Sequence, residues 1–448
     1  MEGKKIPGPK NLVFTKGANK FQEQPLKFLS DIAKNFPDIA GIKVLNFNIV
    51  LLTDPKYARL ILQTNQKQYV KSSVYDKLKL ILGDGLVTSE GDLWKRQRKL
   101  IQPSFHKQYI YNLMSGMISC TNEMIKEWKV IAQNGGKVDF HEEMMVVTLD
   151  IICKTMLSAD VKSEAKLIRN SLLYIGNTVN TKTKKFIDLP LWIPTKANIK
   201  FKKERHKLDE IIYRIINEKK KNGHVNGDLL DMLMESKYED TGEAMPPKLL
   251  RDEVMTIFLA GHATTANALV WTFYLISQHP EVYQKLKKEV KEIVGDGEIT
   301  FQHLQQLKYT KACFNESMRL YPPVWVFGRK AIEDNWVGDY LIKKGTNILI
   351  SPYIVHRLPE YWKNPDKFDP DRWETEEVKA LDKFAYFPFA AGPRMCIGNN
   401  FALFEADIIM AKIIQNFDFE YIGKSAPEMF PSTILRVKNG LPMKIKSV

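Results

Sequence analysis

The residues around Cys396 suit a cysteine that binds a cofactor better than one that only packs in a core. It lies in the run Phe389-Ala-Ala-Gly392-Pro-Arg394-Met-Cys396-Ile-Gly398, near the end of the sequence. A thiolate is a strong metal ligand, and a bound metal deprotonates a thiol. The two glycines permit a tight turn and close approach of a flat ligand, and Arg394 offers a planar fork for a carboxylate. The spacing predicts a thiolate on a metal cofactor; the alternative is a buried cysteine that acts only as a small apolar side chain.

Two helices would position this chemistry. Residues 400–414 follow the cysteine as an apolar helix, and a helix start offers free backbone N–H groups and positive potential near Gly398. Residues 254–277 form a second apolar stretch, preceded by Pro246-Pro247. It is long enough to cross a membrane, but polar residues such as His262, Thr264 and Asn267 interrupt it, and no second span follows. We therefore expect the core helix of a protein without a membrane span.

The remaining pattern predicts a mostly α fold with small β-sheets in one domain, residues 1–448. Residues 42–52 and 347–350 alternate as strands do, and the N-terminal part therefore carries a small sheet. From about residue 94 onward apolar residues recur at helical spacing. A further helix covers residues 301–319 and stops before Pro322-Pro323.

Composition limits the function. The formal net charge is +14, but the basic residues are scattered and no nucleic-acid motif is present, so a basic patch for an acidic protein partner is favoured over nucleic acid. The run at residues 218–227 reads as an exposed loop. The four cysteines are widely spaced, and no signal peptide opens the sequence. The cysteine spacing favours a reducing compartment, and we expect a monomer in the cytoplasm.

The pattern Phe389-x-x-Gly392-x-Arg394-x-Cys396-x-Gly398 resembles the haem-binding signature of the cytochrome P450 family, and the resemblance runs from about Pro7 to the C-terminus. It implies the P450 fold, with haem b between the core helix and the cysteine-bearing segment. Cys396 would be the axial iron ligand, which donates electron density that favours cleavage of O₂. Phe389, Gly392, Arg394 and Gly398 would line the cofactor.

Further motifs extend the resemblance. Glu316-Ser-Met-Arg319 and Arg372 resemble a buried Glu-Arg-Arg cluster that supports the fold near the haem sulfur. Trp94 and Arg98 resemble residues that bind a haem propionate, although alone they would read as a basic amphipathic helix. Arg329 resembles a second propionate ligand. His106 could assist, or simply be hydrogen-bonded structure.

The core helix carries Ala260-Gly261-His262-Ala263-Thr264-Thr265, which resembles the oxygen-activation motif of the family. Small Ala260 and Gly261 would let the helix pass over the haem. Thr264 would bond to oxygen and pass protons, unless its hydroxyl only satisfies a carbonyl one turn back. The residue before this threonine is normally an acid, but here it is Ala263. His262, waters or substrate hydroxyls could replace the acid; peroxide chemistry or a non-oxidative reaction would not need it.

The resemblance implies a monooxygenase that hydroxylates or O-demethylates a small molecule. Lipids, terpenoids and a methylated sugar are the candidate substrates, and residues 72–86, 172–192 and 324–327 the candidate pocket. Electrons from NAD(P)H would arrive through a ferredoxin or flavodoxin and its reductase, docked at a basic face. The alternatives are a peroxygenase, a haem isomerase and a non-catalytic haem sensor. Residues proposed for that face are Arg96, Arg98, Lys99 and Lys107.

Overall fold

The computed structural model describes residues 4–9, 21, 23–44, 47–184, 189–222, 227–238 and 240–448. Parts of three predictions lie outside these residues. They are positions 45–46 of the predicted strand at 42–52, positions 185–188 of the pocket segment at 172–192, and positions 223–226 of the predicted loop at 218–227. The described parts correct two of these predictions. Residues 42–44 and 47–52 belong to two strands that pair with each other, and residues 218–222 end helix Lys196–Asn222, where Lys219 is buried.

Helices make up 59% of the structure, which confirms the predicted mostly α class with small sheets. Short 3-10 and π turns join several of them, among them Leu60–Thr64 and Gly392–Arg394. The α-helices of the described residues are Pro25–Asn35, Pro55–Arg59, Val74–Leu82, Gly91–Ile101, Lys107–Gln133, Phe140–Met156, Ala165–Lys184, Lys196–Asn222, Leu229–Glu235, Pro247–Ser277, Pro280–Ile293, Phe301–Gln306, Lys308–Leu320, Pro352–Val355, Glu376–Lys379 and Asn399–Asn416.

The chain divides into two compact units, and the first comprises Met1–Lys77 and Glu316–Cys396. Its centre is a five-stranded sheet whose apolar side chains, including Ile39, Val50 and Ile348, form a buried core. The neighbouring pairs are antiparallel except for one parallel pair between Phe47–Leu52 and Asn347–Ile350. The strand order is Ile39–Val44, Phe47–Leu52, Asn347–Ile350, Phe327–Ala331 and Tyr69–Lys71, and a separate hairpin joins Asn335–Val337 to Tyr340–Ile342.

The second unit comprises Leu78–Asn315 and Ile397–Val448. Helix Pro247–Ser277, named the core helix below, packs along Phe140–Met156 and also against Asn399–Asn416, named the C-terminal helix below. A three-stranded sheet orders Lys137–Asp139, Pro442–Ser447 and Phe417–Tyr421, and a hairpin pairs Met429–Pro431 with Leu435–Val437.

The core helix is long and apolar enough to cross a membrane by length and composition alone. In its most apolar window, however, 72% of the residues are buried inside the fold. Its burial extends to the polar side chains near its start, Arg251, Asp252 and Glu253. The helix begins at Pro247, as the two prolines predict.

One predicted helix is two helices. The expected segment 301–319 is Phe301–Gln306 followed by Lys308–Leu320, and Leu307 leaves helical geometry with ψ 69°. The Glu289 carboxylate accepts hydrogen bonds from the N–H groups of Tyr309 and Thr310, at 2.6 and 2.8 Å. These N–H groups belong to the first turn of the second helix. The N–H groups of a first turn have no acceptor within their own helix. A side chain from another helix therefore caps the second helix at the break.

Candidate functional site

Cys396 ends a tightly turned loop. Its N–H donates to the carbonyl of Phe389 at 2.9 Å, and the N–H of Met395 donates to Gly392 at 3.0 Å. Gly392 has φ +71°, and a Cβ there would lie 1.9 Å from the Leu62 carbonyl oxygen. Glycine is therefore required for the turn and for the approach of Leu62, a protein contact rather than the expected approach of a ligand. Within this loop, Cys396 is exposed.

The other cysteines are set apart by burial. Cys120, Cys153 and Cys313 are buried. Burial raises the pKa of the Cys120 and Cys153 thiols far above their usual value. A thiol in such a place is a poor metal ligand because the ligand form is the thiolate. Of the four cysteines in the sequence, Cys396 is the one that the fold leaves open to a ligand.

The predicted Glu316, Arg319 and Arg372 network is confirmed. Glu316 receives two hydrogen bonds from Arg319, each 2.9 Å long, and a third of 2.9 Å from Arg372. Trp373 Nε1 and the N–H of Asp369 also donate to this carboxylate, at 3.0 and 3.1 Å. The side chains of Glu316 and Arg319 are wholly buried. A buried ion pair is tolerated when hydrogen bonds satisfy it this completely.

His356 links this network to the cysteine loop, and the sequence analysis missed it. Arg319 donates to the His356 carbonyl at 2.8 Å, and the His356 ring nitrogen Nε2 accepts the N–H of Phe387 at 2.9 Å. The carbonyl of Phe387 then accepts the N–H of Ala390 at 3.0 Å. Burial lowers the pKa of His356 well below its usual value, so the ring is neutral and can accept. The network thus anchors the start of the loop that carries Cys396.

Gly398 precedes the C-terminal helix and caps it. Its carbonyl accepts the N–H of Ala402 at 2.9 Å. Its φ of −86° suits any residue, and an added Cβ would meet Phe105 only at an ordinary contact of 3.7 Å. Neither the backbone nor packing against the described residues requires glycine here. In this respect Gly398 differs from Gly392.

The middle of the core helix has one open stretch in an otherwise buried element. Ala260 is exposed, and Gly261 and Thr264 are half-buried. The Thr264 hydroxyl donates to the Ala260 carbonyl at 2.8 Å. A Cβ on Gly261 would lie 2.7 Å from the Ile152 side chain, so helix packing accounts for this glycine. Thr264 therefore presents a hydroxyl on an accessible face while it is satisfied one turn back.

The side chains of His262 and Ala263 do not share that accessible face of the helix. Both are buried, and the Nδ1 atom of His262 lies 2.6 Å from the Phe258 carbonyl. Burial lowers the pKa of His262 to about 4, so the ring is neutral near pH 7. Among the described residues, the short polar contact of the His262 ring is this carbonyl within its own helix. This placement disfavours His262 as the replacement for the missing acid.

The proposed propionate ligands differ in their surroundings. Trp94 and Arg98 are half-buried and one turn apart on helix Gly91–Ile101, where Arg98 Nε donates to Gln102 at 3.3 Å. Arg329 lies on strand Phe327–Ala331 and is buried. Its guanidinium donates to the Gly328 carbonyl at 3.0 Å and lies 5.5 Å from the Phe327 ring centre.

Two further predicted residues and one pocket segment are placed as follows. His106 is exposed and precedes helix Lys107–Gln133 without a side-chain cap. Arg394 lies half-buried in the 3-10 turn that leads to Cys396. In the segment at residues 324–327, Trp325 and Phe327 are buried. None of these positions by itself identifies a ligand.

Side chains near the start of the core helix form hydrogen bonds to the backbone of the predicted pocket segment at residues 72–86. The N–H of Asp84 donates to Asp252 at 2.9 Å, and the N–H of Leu86 donates to Glu253 at 3.0 Å. Arg251 donates to the carbonyl of Ile81 at 2.9 Å. These bonds fix the backbone of residues 81–86 to one end of the core helix. The sequence alone gave no sign of these contacts.

Comparison with known proteins gives the family. The cytochrome P450 family model matches residues 6–446. Cytochrome P450 4V2 of Homo sapiens is 32% identical over 413 residues, 86% of this chain and 78% of the relative. Cyclooctat-9-en-7-ol 5-monooxygenase of Streptomyces melanosporofaciens is 30% identical over 392 residues, 87% and 84%. Leukotriene-B4 omega-hydroxylase 3 of Mus musculus is 30% identical over 451 residues, 95% and 85%. As the cysteine motif predicted, the chain belongs to the cytochrome P450 family and is a cytochrome P450 monooxygenase.

Proposed function

We propose that the chain holds haem b through a Cys396 thiolate and oxidises a hydrocarbon-rich small molecule. The observation that carries this proposal is the exposure of Cys396 at the end of a loop that a buried network anchors. When bound, haem supplies the activation of O₂, with one oxygen atom entering the substrate and the other leaving as water. The chain's own residues hold the cofactor, exclude water and move protons.

The environment of Arg329 fits a bound anion. Its guanidinium is buried, and among the described residues no carboxylate pairs with it. A buried charge without a counter-ion is costly, and a haem propionate would neutralise it. Gly398 fits as well, because nothing in its backbone or packing against described residues requires glycine. The donor set of one thiolate and one unpaired guanidinium therefore suits haem.

The other proposed contacts follow the family resemblance. Trp94 and Arg98 would bind a propionate, and Arg329 would be a second propionate ligand. Phe389 would pack beside the Cys396 sulfur, and Arg394 would pair with a carboxylate of the cofactor. These roles predict that Arg98→Leu and Arg329→Leu each lower haem retention, measured as haem per protein after gel filtration. Full retention in both variants would contradict them.

Thr264 is the proposed proton-handling residue on the core helix. Its hydroxyl already donates to Ala260 from a half-buried position, so it can exchange that bond for one to a bound ligand. We expect Thr264→Ala to lower the fraction of NAD(P)H electrons recovered in product, because the proton donor is lost. Thr264→Ser keeps the hydroxyl and is the matched control. Unchanged coupling in Thr264→Ala would remove this role.

Cytochrome P450 enzymes need redox partners, and we propose a small acidic ferredoxin or a flavodoxin with its reductase. The net charge of +14 favours an acidic partner. Arg98, Lys99 and Lys107 are candidates for the docking face. Arg96 is a weaker candidate, because it pairs with Asp240 at 2.5 Å. Reversing Lys107 to Glu should slow reduction by ferredoxin at low salt and have little effect at high salt.

We propose a lipid or terpenoid substrate. Two relatives are named for oxidising cyclooctat-9-en-7-ol and leukotriene B4, both hydrocarbon-rich compounds. The alternative, a methylated sugar, rests only on the missing acid at Ala263. A spin-shift screen of fatty acids, terpenoids and methylated sugars tests this choice. A shift with the sugars alone would overturn the proposal.

The monooxygenase reaction itself is tested with ¹⁸O₂. We expect one labelled oxygen atom in the product and strict dependence on the reductase. The relative named as a monooxygenase supports this class over a peroxygenase, an isomerase or a sensor. Product formed from peroxide alone, at the same rate, would favour a peroxygenase instead.

A further inference from the structure

Three aromatic side chains of the second unit form a continuous row from the core helix to strand Phe417–Tyr421. The Trp271 ring lies 6.1 Å from the Tyr274 ring, and the Tyr274 ring lies 5.3 Å from the Tyr421 ring, measured between ring centres. Both pairs meet edge to face, an arrangement that aromatic pairs in contact prefer. Indole and phenol rings carry an N–H or O–H group and lose an electron far more readily than a phenylalanine ring. The row therefore joins three oxidisable groups.

The inner end of the row lies on the helix face that carries the open stretch of the core helix. Trp271 comes about two helical turns after Thr264 and about three after Ala260, so the three residues leave the helix on nearly one face. The rise along the helix axis from Thr264 to Trp271 is about 10 Å. Trp271 is buried, and its Nε1 donates to the Leu435 carbonyl at 3.3 Å. The row thus starts inside the fold, two turns from the proposed oxygen site.

The outer end of the row reaches the surface at Tyr421. This residue and Tyr274 are half-buried. The Tyr421 hydroxyl donates to the exposed Ser425 carbonyl at 2.7 Å. A Cβ on Gly423 would lie 2.0 Å from the hydroxyl oxygen, so the glycine leaves room for the hydroxyl in the loop after the strand. A proton released by Tyr421 can therefore pass to water.

A neighbouring aromatic cluster of the same helix and strand contrasts with the row. Phe273 and Phe419 lie 5.4 Å apart between ring centres, and Phe419 lies 4.8 Å from Tyr283. Tyr283 thus meets the core helix through two phenylalanine rings, which resist oxidation. The cluster packs the core in the same way, but it offers no series of oxidisable rings. Tyr283 is therefore a matched control for Tyr421.

We propose that Trp271, Tyr274 and Tyr421 carry electrons from the surface to the haem site when hydrogen peroxide forms or enters there, and so protect the enzyme from oxidation. Hydrogen peroxide takes up two electrons and two protons and becomes two waters. One electron at a time passes along the row from Tyr421 through Trp271. With each passage the Tyr421 O–H bond breaks and its proton goes to solvent.

Two such passages supply both electrons, and the protons released equal those that peroxide takes up. After each passage a small reductant in solution, such as ascorbate, returns one hydrogen atom to the Tyr421 oxygen. Trp271 and Tyr274 end each passage unchanged. The inference rests on the haem site proposed above and adds a peroxide-reducing activity to it.

The test mixes the holoenzyme with hydrogen peroxide, without substrate, in the presence of a nitroso spin trap. We expect peptide mass spectrometry to place the trap adduct on Tyr421. The adduct should be lost in Trp271→Phe and in Tyr274→Phe, which keep an aromatic ring in the row, and retained in Tyr283→Phe. No adduct on Tyr421 in the wild type, or undiminished adduct in both row variants, would overturn the proposal. If Trp271→Phe does not fold, Tyr274→Phe alone decides.

A second readout separates electron transfer from a packing role of the tyrosine. Tyr421→Phe keeps the ring contact and loses only the hydroxyl. Under peroxide, ascorbate should slow the formation of methionine sulfoxide, a common oxidative lesion, in the wild type but not in Tyr421→Phe. Equal protection by ascorbate in both proteins would contradict the proposal. The ferrous–CO spectrum distinguishes the two failures: a missing thiolate band in the wild type overturns the haem site, whereas a normal band without the Tyr421 adduct overturns this inference alone.

Discussion

The region around Glu316 buries charges that are paired, whereas the middle of the core helix buries polar groups that are held neutral. Glu316 accepts five hydrogen bonds, from Arg319 (two), Arg372, Trp373 and the Asp369 N–H. Glu405, packed near the core helix, accepts none of normal geometry from the described residues. Both carboxyl groups are inaccessible. Two equally buried carboxyl groups can therefore differ widely in the number of hydrogen-bond donors placed around them.

The difference matches the work of the two regions. The Glu316 region must hold the cysteine loop in one place, and a saturated network of charge-assisted hydrogen bonds does that. The core helix instead buries His262 as a neutral ring, and its Thr264 hydroxyl donates to a carbonyl of the same helix. The two regions thus bury polar groups in opposite ways.

The largest expected effect is loss of the paired network. Arg319→Met should lower the free energy of unfolding by about 3–5 kcal/mol, because it leaves Glu316 buried with fewer donors. Chemical denaturation checks this value, and haem content should fall with it. The control is Glu376→Gln, which breaks an exposed pair with Lys379 and should leave stability unchanged. If Arg319→Met were as stable as the wild type, the paired network around Glu316 would not be what stabilises this region.

The lowered pKa of His262 in the core helix makes the stability of the fold depend on pH. Its pKa in the folded state is about 4, against an ordinary value of 6.5. Between these values the unfolded chain binds the proton and the folded chain does not. Stability is therefore lost as pH falls from about 6.5 to about 4, by up to about 3 kcal/mol for this group. Above pH 6.5 the group contributes no pH dependence.

The measurement is the unfolding free energy of wild type and His262→Gln at several pH values. Burial gives His141 a similarly low pKa of about 4, so part of the pH dependence should remain in the variant. Substituting the exposed His206 with Gln removes only a surface contact and is the control for the loss of a histidine. Equal slopes in wild type and His262→Gln would show that His262 is not held neutral.

The smallest effect separates two glycines of the cysteine segment. Gly392→Ala should cost about 1–3 kcal/mol of stability, since φ is +71° and the new Cβ meets Leu62. Gly398→Ala should leave the stability of the haem-free protein unchanged but lower haem retention, because this residue is proposed to line the cofactor. Thermal unfolding of both variants, with and without haem, checks this. Equal destabilisation of the haem-free proteins would contradict it.

Much of the fold and site could be predicted where local pattern carries the information. The core helix begins at Pro247, the second of the two prolines that predicted its start. The strand at residues 347–350 is present as expected. The predicted pairing of Glu316 with Arg319 follows from helical spacing. The family signature supplied Arg372, whose contact with Glu316 spans 56 residues.

What was missed depends on contacts between distant segments. Nothing near His356 in the sequence shows that Phe387 donates to its ring. The helix that starts after the break at Leu307 is capped by Glu289, a residue of helix Pro280–Ile293. The C-terminal helix carries both Glu405 and Asp407, and only packing shows that Lys311 lies near Asp407 whereas Glu405 has no hydrogen-bond partner among the described residues.

The ferrous–CO absorption spectrum of the purified protein, wild type and Cys396→Ala, tests the central claim most directly. We predict the strongly red-shifted band of a thiolate-bound haem in the wild type and its loss in Cys396→Ala, since the other three cysteines are buried. Cys120→Ala is the matched control and should keep the band. Absence of the band in the wild type, or its survival in Cys396→Ala, would contradict the account.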